Sequence, residues 1–230
     1  MTLKIETFDD AEAVARAAAD FIAVEARGSV AARGRFTMAV SGGRTPWLML
    51  RALADEEVPW AGVHVVQVDE RVAPDGDPDR NLTQLRQSLL ARVPLRSDQV
   101  HAMPVEAMDL DAAARAYADD LRAAAGEPAV LDLVLLGLGS DGHTASLVPG
   151  DPSLEVTDAD VALAGPYQGR RRMTLTYPVI DRARRVLWVV TGAEKSDMLR
   201  RLCDADPSIP AGRVRQDQAL VLADRAAAGT

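Results

Sequence analysis

The segment LDLVLLGLGSDGHTASLVPG, residues 131–150, joins a nearly continuous apolar stretch to a loop rich in glycine. Its first part is typical of a strand that is buried on both faces of a parallel sheet. Similar apolar segments recur along the chain with helical patterns between them, and such alternation produces a sheet covered by helices. The sequence therefore predicts an α/β fold with a mostly parallel sheet and helices on both faces.

The apolar pattern assigns strands and helices along the whole chain. The predicted strands are LKIETF, RFTMAV, VHVVQVDE, VHAMPV, LDLVLLGLG, RMTLTYPVI, RVLWVVTG and ALVLAD. The predicted helices are DDAEAVARAAADFIAVEARGSVAARG, which has acidic capping residues and a terminal glycine, and WLMLRALADE, LTQLRQSLLARV, LDAAARAYADDLRAAAG and AEKSDMLRRLC. Residues 148–172 are irregular, and we expect an antiparallel excursion there. Because no linker or internal repeat is visible, we expect residues 1–230 to form a single domain.

Composition restricts the class of protein. The 230 residues are 48% hydrophobic and 26% charged, and the net charge of −8 argues against nucleic-acid binding. A few local basic residues can still bind a small anion. The single cysteine, Cys203, suits a reducing compartment and is expected to be a small buried residue on a helix. Because no secretory signal or membrane-length apolar run is visible, we expect a cytoplasmic protein without membrane partners. The net charge of −8 without an obvious apolar patch favours a monomer.

Three glycines of the opening segment, Gly137, Gly139 and Gly142, match the G-x-G-x-x-G pattern of dinucleotide-binding turns. In that motif the third glycine leads into a helix long enough to present its N-terminus to the pyrophosphate. Pro149 follows Gly142 after only seven positions, so at most a turn or two of helix fits. Several α/β units also precede this loop. We therefore reject the dinucleotide interpretation and expect no cofactor.

The same loop presents Asp141 and His143 at a predicted helix start. A helix N-terminus disfavours the imidazolium form, and a neutral imidazole is what a general base requires. A purely structural histidine is the alternative, but its setting between glycines and small polar residues favours function. The other histidines, His64 and His101, lie in predicted strands without the spacing of a metal site, so we expect no metal.

The segment SGGRTP, residues 41–46, is predicted to join a strand to a helix. Its two glycines allow close approach of the backbone to a ligand, with Thr45 as N-cap and Pro46 as first helical residue. Free amides at the helix start would bind an anion, and Arg44 adds a local positive charge. The alternative is a conventional capped turn.

A second polar loop, VDERVAPDGDPDRN, follows the next predicted strand. It places Asp69, Glu70 and Arg71 at the strand end and runs to Asn81. Arg71 could bind a ligand oxyanion with fixed geometry. The alternative is an Asp–Arg pair that organises a surface loop.

Two further basic sites complete the set. Arg170, Arg171 and Arg172 lead into a predicted strand, and we expect one of them to face the cleft while the others form a solvated rim. Lys195 is predicted in the first turn of a helix, where its charge opposes the helix dipole unless an anion compensates. In an open α/β sheet, ligands bind outside the carboxyl ends of the strands, so all these clusters are expected to form one site.

Together these segments resemble the 6-phosphogluconolactonase family, enzymes of the pentose phosphate pathway. The matching motifs are SGG-x-TP at 41–46, DER at 69–71 with Asn81, G-x-G-x-DGH-x-ASL-x-PG at 137–150, R-x-T at 172–174 and G-x-x-K at 192–195. The resemblance implies a Rossmann-like sheet, shared with glucosamine-6-phosphate deaminases. It also implies hydrolysis of 6-phospho-D-glucono-1,5-lactone to 6-phosphogluconate without metal or cofactor. Val148, Ala73 and Arg80 depart from the residues common in the family.

The family pattern and the residues suggest roles for the site. His143 would activate water, with Asp141 ordering its loop. Arg71, or the amides of the glycine loop, would stabilise the oxyanion, and Asp69 would hold Arg71. The expected substrate- and phosphate-binding residues are Ser41, Gly42, Gly43, Arg44, Thr45, Asn81, Gly139, Arg172 and Lys195. The alternatives are a glucosamine-6-phosphate deaminase or isomerase and a non-catalytic sugar-phosphate sensor.

Overall fold

Most of the apolar segments pair side by side as strands in a computed structural model that describes residues 3–229. The strands are β1 (Lys4–Phe8), β2 (Phe36–Val40), β3 (Val63–Gln67), β4 (Asp69–Arg71), β5 (Val100–His101), β6 (Leu133–Leu136), β7 (Val161–Tyr167), β8 (Arg170–Leu175), β9 (Val186–Val190) and β10 (Ala219–Asp224). The helices are α1 (Ala11–Arg33), α2 (Arg44–Leu53), α3 (Asn81–Leu85, continued by a π-helical turn to Leu90), α4 (Leu110–Ala125), α5 (Tyr177–Asp181), α6 (Ser196–Cys203) and α7 (Arg225–Ala228).

The main sheet has seven strands in the order β1-β10-β9-β6-β2-β3-β5, and all its neighbours are parallel. From β2 the chain builds outward through β3 and β5 in one direction. It then returns to β6 on the other side of β2 and builds outward through β9 and β10. A crevice forms where the strand order reverses, so the loops after β2 and β6 flank the expected ligand position. The predicted α/β fold is confirmed.

The continuous apolar character of the strands has a direct structural cause. In β6, Leu133 and Leu135 belong to the core on one face of the sheet, whereas Val134 and Leu136 belong to the core on the other. Successive side chains of a strand point to opposite faces, so a strand covered on both sides needs an apolar residue at every position. Helix α1 follows its sequence signals closely, with the Asp10 side chain accepting from Ala13 N at 2.7 Å and Gly34 ending the helix.

The segment VHVVQVDE, predicted as one strand, divides between two sheets. β3 ends at Gln67, and β4 pairs antiparallel with β8 in a three-stranded sheet of order β4-β8-β7. Val68 joins the two sheets, because its N–H donates to Val40 O at 3.0 Å and its carbonyl accepts from Leu175 N at 2.8 Å. The antiparallel excursion expected in residues 148–172 is present, and it extends to Leu175.

One other element differs from the sequence prediction. The predicted strand RMTLTYPVI ends at Leu175, and its second half is the short helix α5, where Pro178 lies in the first turn, a position that proline favours. Cys203 is the last residue of α6 and is half-buried against the core, as expected. Within residues 3–229, no helix has the length and apolar character needed to cross a membrane.

The two histidines outside the glycine loop form a pair. His64 Nδ1 lies 3.1 Å from His101 Nε2, and the rings are stacked with centroids 5.4 Å apart. Burial lowers the pKa of both imidazoles, and the charge of His64 lowers that of His101 further. The charged groups facing the pair are Asp98, Asp120, Arg35 and Arg96.

This pair makes stability depend on pH. The unfolded chain, whose histidines titrate near pH 6.5, binds more protons below that pH than the folded protein does. The free energy of unfolding is therefore expected to decrease as the pH falls from 7.5 to 5.5. His101→Gln removes one titrating group and should flatten this dependence, measured by urea unfolding at several pH values. Equal slopes for the variant and the wild type would contradict the assignment.

Candidate active site

The polar strand ends meet around one cavity of about 570 Å³, a size typical of small-molecule sites. It lies at the carboxyl ends of β2, β6 and β9, with β4 and the β7–β8 hairpin on one side. Every site residue predicted from the sequence lines it except Asp141, which contacts a lining residue. Those lining residues are Ser41, Gly42, Gly43, Arg44, Thr45, Asp69, Arg71, Asn81, Gly139, His143, Arg172 and Lys195.

The loop after β2 presents backbone to the cavity. Gly43 has a φ of 120°, a conformation suited to glycine, and α2 begins at the next residue, Arg44. The prediction of Thr45 as N-cap and Pro46 as first helical residue is therefore wrong by two positions. The Thr45 hydroxyl instead lies 2.6 Å from that of Thr191, which joins the loops after β2 and β9.

Contacts with β6 and with Asn81 restrict the loop after β2. The Ser41 hydroxyl is buried and donates to Leu135 O at 2.7 Å, so it connects the ends of β2 and β6. A Cβ at position 42 would collide with Asn81 Oδ1, so only glycine fits there. These contacts leave backbone amides, rather than the serine hydroxyl, as the donors that the loop offers to a ligand.

The carboxylate of Glu70 organises the second loop, and it is fully buried. It accepts from the backbone N–H groups of Arg71, Asn81 and Leu82 at 2.7–2.8 Å and from Gln67 Nε2 at 2.9 Å. Arg80, also buried, lies 3.3 Å away through Nε and contacts the more exposed Glu106 at 3.2 Å. The sequence singled out the DER motif but gave Glu70 no role, because nothing in its spacing indicates burial.

Asn81 connects the two neighbours of Glu70. Its Nδ2 donates to the carbonyl and the carboxylate of Asp69, and its Oδ1 accepts from Arg71 Nη1 at 2.9 Å. Arg71 also donates to Asp79 O at 2.6 Å. Asp69 was expected to hold Arg71, and the structure shows this link as indirect, through Asn81. The Asp69 carboxylate itself accepts from the Ser146 hydroxyl at 2.7 Å.

Of the three consecutive arginines, Arg172 is the one that lines the cavity, whereas Arg170 pairs with Asp77 and Arg171 is exposed. Arg172 is only 4% exposed, and its nearest carboxylate oxygen, on Asp69, is 3.8 Å away. Within residues 3–229 its Nε finds no hydrogen-bond partner. Burial and the neighbouring charge of Arg71 lower its pKa. A buried cation with so little compensation favours an anionic ligand.

The loop after β6 has a different shape from the one predicted. Residues 140–150 form tight turns closed by a bridge between Thr144 and Leu147, and no helix begins at His143. The helix-dipole argument for a neutral His143 is therefore wrong. Two positions of this loop require glycine for lack of space. A Cβ at position 139 would collide with the His143 ring, and one at position 142 would collide with Ile209.

Asp141, rather than a helix N-terminus, determines which ring nitrogen of His143 carries the proton. Its Oδ1 lies 2.5 Å from His143 Nδ1 and also accepts from the His143 backbone N–H, while its Oδ2 accepts from the Tyr167 hydroxyl at 3.0 Å. Burial tends to raise the pKa of Asp141, but His143 and these hydrogen bonds lower it overall. An ionised Asp141 fixes the proton of His143 on Nδ1, which leaves Nε2 to accept a proton.

The α-helix that follows β9 begins one turn later than the sequence predicts. Lys195 ends a short 3₁₀ turn (Ala193–Lys195), and α6 begins at Ser196. The cavity is also lined by Gln168, Thr191, Glu194 and Asp224, which the sequence did not single out. They follow strand ends without any motif spacing, so only the topology could find them. Within residues 3–229, no three His, Cys, Asp or Glu side chains are arranged to hold a metal ion.

Comparisons with known proteins identify the family of the chain. A family model of glucosamine-6-phosphate isomerases and 6-phosphogluconolactonases matches residues 9–222. The 6-phosphogluconolactonase of Mycobacterium tuberculosis is 40% identical over 242 aligned positions, which cover 99% of this chain and 98% of that protein. The Synechocystis 6-phosphogluconolactonase is 39% identical over 196 positions, covering 83% and 81%. The solved structure of 6-phosphogluconolactonase from Trypanosoma cruzi superposes with a TM-score of 0.88 at 26% identity, covering 100% and 98%.

The parallel sheet and the cavity at the carboxyl ends of its strands thus define an α/β protein with a small-molecule site. The chain belongs to the family of glucosamine-6-phosphate isomerases and 6-phosphogluconolactonases. The family membership expected from the five motifs is confirmed.

The network of Glu70 gives a stability prediction. Glu70→Gln leaves the buried Arg80 with only the exposed Glu106 as a counter-charge and should lower the free energy of unfolding by about 3–5 kcal/mol. Glu106→Gln removes the exposed partner of the same arginine, and a loss of under about 1 kcal/mol is expected. Denaturant unfolding followed by tryptophan fluorescence measures both. Equal losses in the two variants would show that Glu70 does not organise the loop.

Proposed function

We propose that this protein hydrolyses 6-phospho-D-glucono-1,5-lactone to 6-phosphogluconate, as a lactonase of the oxidative pentose phosphate pathway. The observation that carries the proposal is the Asp141–His143 pair, joined at 2.5 Å, on the wall of a cavity that also contains buried and half-buried cations. The similarity to curated 6-phosphogluconolactonases supports the same activity. The substrate, a small phosphorylated lactone, suits both the cavity size and its local charge.

The phosphate group is bound at the end of the cavity nearest the glycine loop after β2. Arg44, Arg172 and Lys195 are basic lining residues, although the chain as a whole carries a net charge of −8. The backbone around Gly42 and Gly43 adds uncharged donors beside the start of α2. Local cations of this kind override the global repulsion for a small dianion.

The hydrolytic step begins at His143. With Nδ1 held by Asp141, Nε2 takes a proton from water as that water attacks the lactone carbonyl. Asp141 stays ionised and stabilises the imidazolium that forms. The imidazolium then returns the proton to the ring oxygen as the ester bond breaks, so the histidine ends neutral. The carboxylic acid that forms loses its remaining proton to solvent and becomes the carboxylate.

Negative charge develops on the carbonyl oxygen during attack. Arg71 is the side-chain candidate for stabilising it, since Asn81 and the carbonyl of Asp79 hold its guanidinium in place at the cavity wall. The amides of the glycine loop beside His143 are the alternative donors. Either set is fixed before the substrate arrives, which is the condition for effective electrostatic stabilisation.

Replacement of His143 tests the base. His143→Ala is expected to lower kcat by about two to four orders of magnitude, the usual contribution of a general base. The measurement is a coupled assay in which spontaneous lactone opening is subtracted. His101→Gln, which alters a histidine outside the cavity, is the matched control and should keep its activity at pH 8. Turnover of His143→Ala near that of the wild type would exclude the assignment.

Replacement of Lys195 tests phosphate binding. Lys195→Ala should raise KM about tenfold or more with a smaller change in kcat, because a charge-assisted contact to the phosphate is lost. Lys4, the only other lysine of the sequence, pairs with Glu6 on the surface, so Lys4→Ala is the control. An unchanged KM for Lys195→Ala would remove this residue from the phosphate site.

The same assay separates the proposed lactonase from its alternatives. A deaminase or isomerase would release ammonia from glucosamine 6-phosphate and would not accelerate lactone opening. A sensor would bind 6-phosphogluconate with equal affinity before and after replacement of His143, and would leave the spontaneous rate unchanged. Acceleration of lactone opening that depends on His143 is the result expected here.

A further inference from the structure

Tyr167 lies where the small antiparallel sheet reaches the cavity. It is the last residue of β7, and Gln168 and Gly169, both with positive φ, form the turn into β8. Gln168 lines the cavity, so the hairpin borders the site. No motif of the sequence includes Tyr167, and the mechanism above does not use it.

The side chain of Tyr167 contacts three charged or titratable groups of the site. Its hydroxyl donates to Asp141 Oδ2 at 3.0 Å and lies 3.4 Å from His143 Nδ1. Its ring packs edge-on against the His143 ring, with centroids 5.1 Å apart. The guanidinium of Arg172 lies over the same ring, 5.1 Å from its centroid. One residue therefore joins the proposed base to a proposed phosphate-binding cation.

The hydroxyl has a defined direction of donation. Burial raises the pKa of Tyr167, and the hydrogen bond to Asp141 raises it further, so the hydroxyl keeps its proton at neutral pH. Asp141 then accepts with both oxygens: Oδ1 faces His143 and Oδ2 faces Tyr167. A carboxylate held at both ends cannot rotate away from the imidazole without losing a charge-assisted bond.

We propose that Tyr167 is a positioning residue of the lactonase reaction: its hydroxyl fixes Asp141 against His143, and its ring supports Arg172. This inference rests on the proposed function, in which His143 activates water. Tyr167 acts through its neighbours and takes no proton from the substrate. The two contacts of the residue, hydroxyl and ring, are separable by mutation.

Tyr167→Phe removes the hydroxyl and keeps the ring. We expect kcat to fall roughly tenfold, the equivalent of one hydrogen bond to a charged group, with KM unchanged within about twofold. The acidic limb of the kcat/KM profile should move to lower pH, because an Asp141 that is no longer fixed against His143 stabilises the imidazolium less. Tyr167→Ala also removes the ring beneath Arg172, and roughly a two- to tenfold rise in KM is expected in addition.

Tyr177 offers a matched control outside the cavity. Its hydroxyl donates to Pro210 O at 2.9 Å, and Arg213 lies over its ring at the same 5.1 Å. Tyr177→Phe removes the same hydroxyl from the same kind of tyrosine–arginine pair and should leave kcat and the pH profile unchanged. A similar loss of kcat in both variants would indicate a general structural effect and would overturn the proposal.

A double-mutant cycle with Asp141 tests the route of action. If Tyr167 acts through Asp141, Tyr167→Phe lowers kcat in the wild type but has no further effect in Asp141→Asn. Full additivity of the two changes, or a wild-type kcat and pH profile in Tyr167→Phe, would overturn the positioning role. His143→Ala, assayed in parallel with the wild type, keeps the two questions apart: loss of its activity supports His143 as the base whatever Tyr167 does, and retention of its activity removes that role. A wild-type protein that does not accelerate lactone opening would overturn the proposed function itself.

Discussion

The buried carboxylate of Glu70 is the interaction on which the site depends. A fully buried charge is stable only when hydrogen bonds and a counter-charge compensate the lost hydration. Here three backbone N–H groups, the Gln67 amide and Arg80 supply that compensation, and they come from β3, from β4 and from the start of α3. The requirement of one carboxylate for several donors therefore sets the positions of Arg71 and Asn81 at the cavity wall.

Much of the fold follows from the apolar pattern, because a strand that is covered on both faces of the sheet needs an apolar residue at every position. The helices with strong caps, such as α1 between Asp10 and Gly34, could also be located closely. The division of VHVVQVDE at Val68 could not, since the segment is uniformly suited to a strand and only its partners differ. The short helix α5 was missed for a related reason: residues 177–181 are apolar enough for either structure, and tertiary packing decides between them.

Most members of the site were predictable from the rule that ligands bind beyond the carboxyl ends of parallel strands, because all the motifs except that of Arg172, which lies within β8, follow such a strand. Their local geometry was not. His143 lies in a turn rather than at a helix start, and its nearest charged partner is Asp141, two residues before it. The contacts of Arg172 with Asp69 and of Tyr167 with Asp141 join segments distant in sequence, so the spacing of the motifs does not reveal them. Gly42 was noticed for close approach of the backbone to a ligand and Gly139 as part of a glycine pattern, whereas the structure requires both glycines for lack of space.

Val68 has a consequence for how the protein meets its ligand. Its two backbone polar groups bond to different sheets, one to Val40 at the end of β2 and the other to Leu175 at the end of β8. The glycine loop continues from the first of these points, and the strand that bears Arg172 ends at the second. The backbone of the glycine loop and the buried arginine are therefore parts of one hydrogen-bonded frame. A site preorganised in this way loses little conformational entropy when a ligand binds. Its selectivity then depends on a shape that is already set when the protein folds.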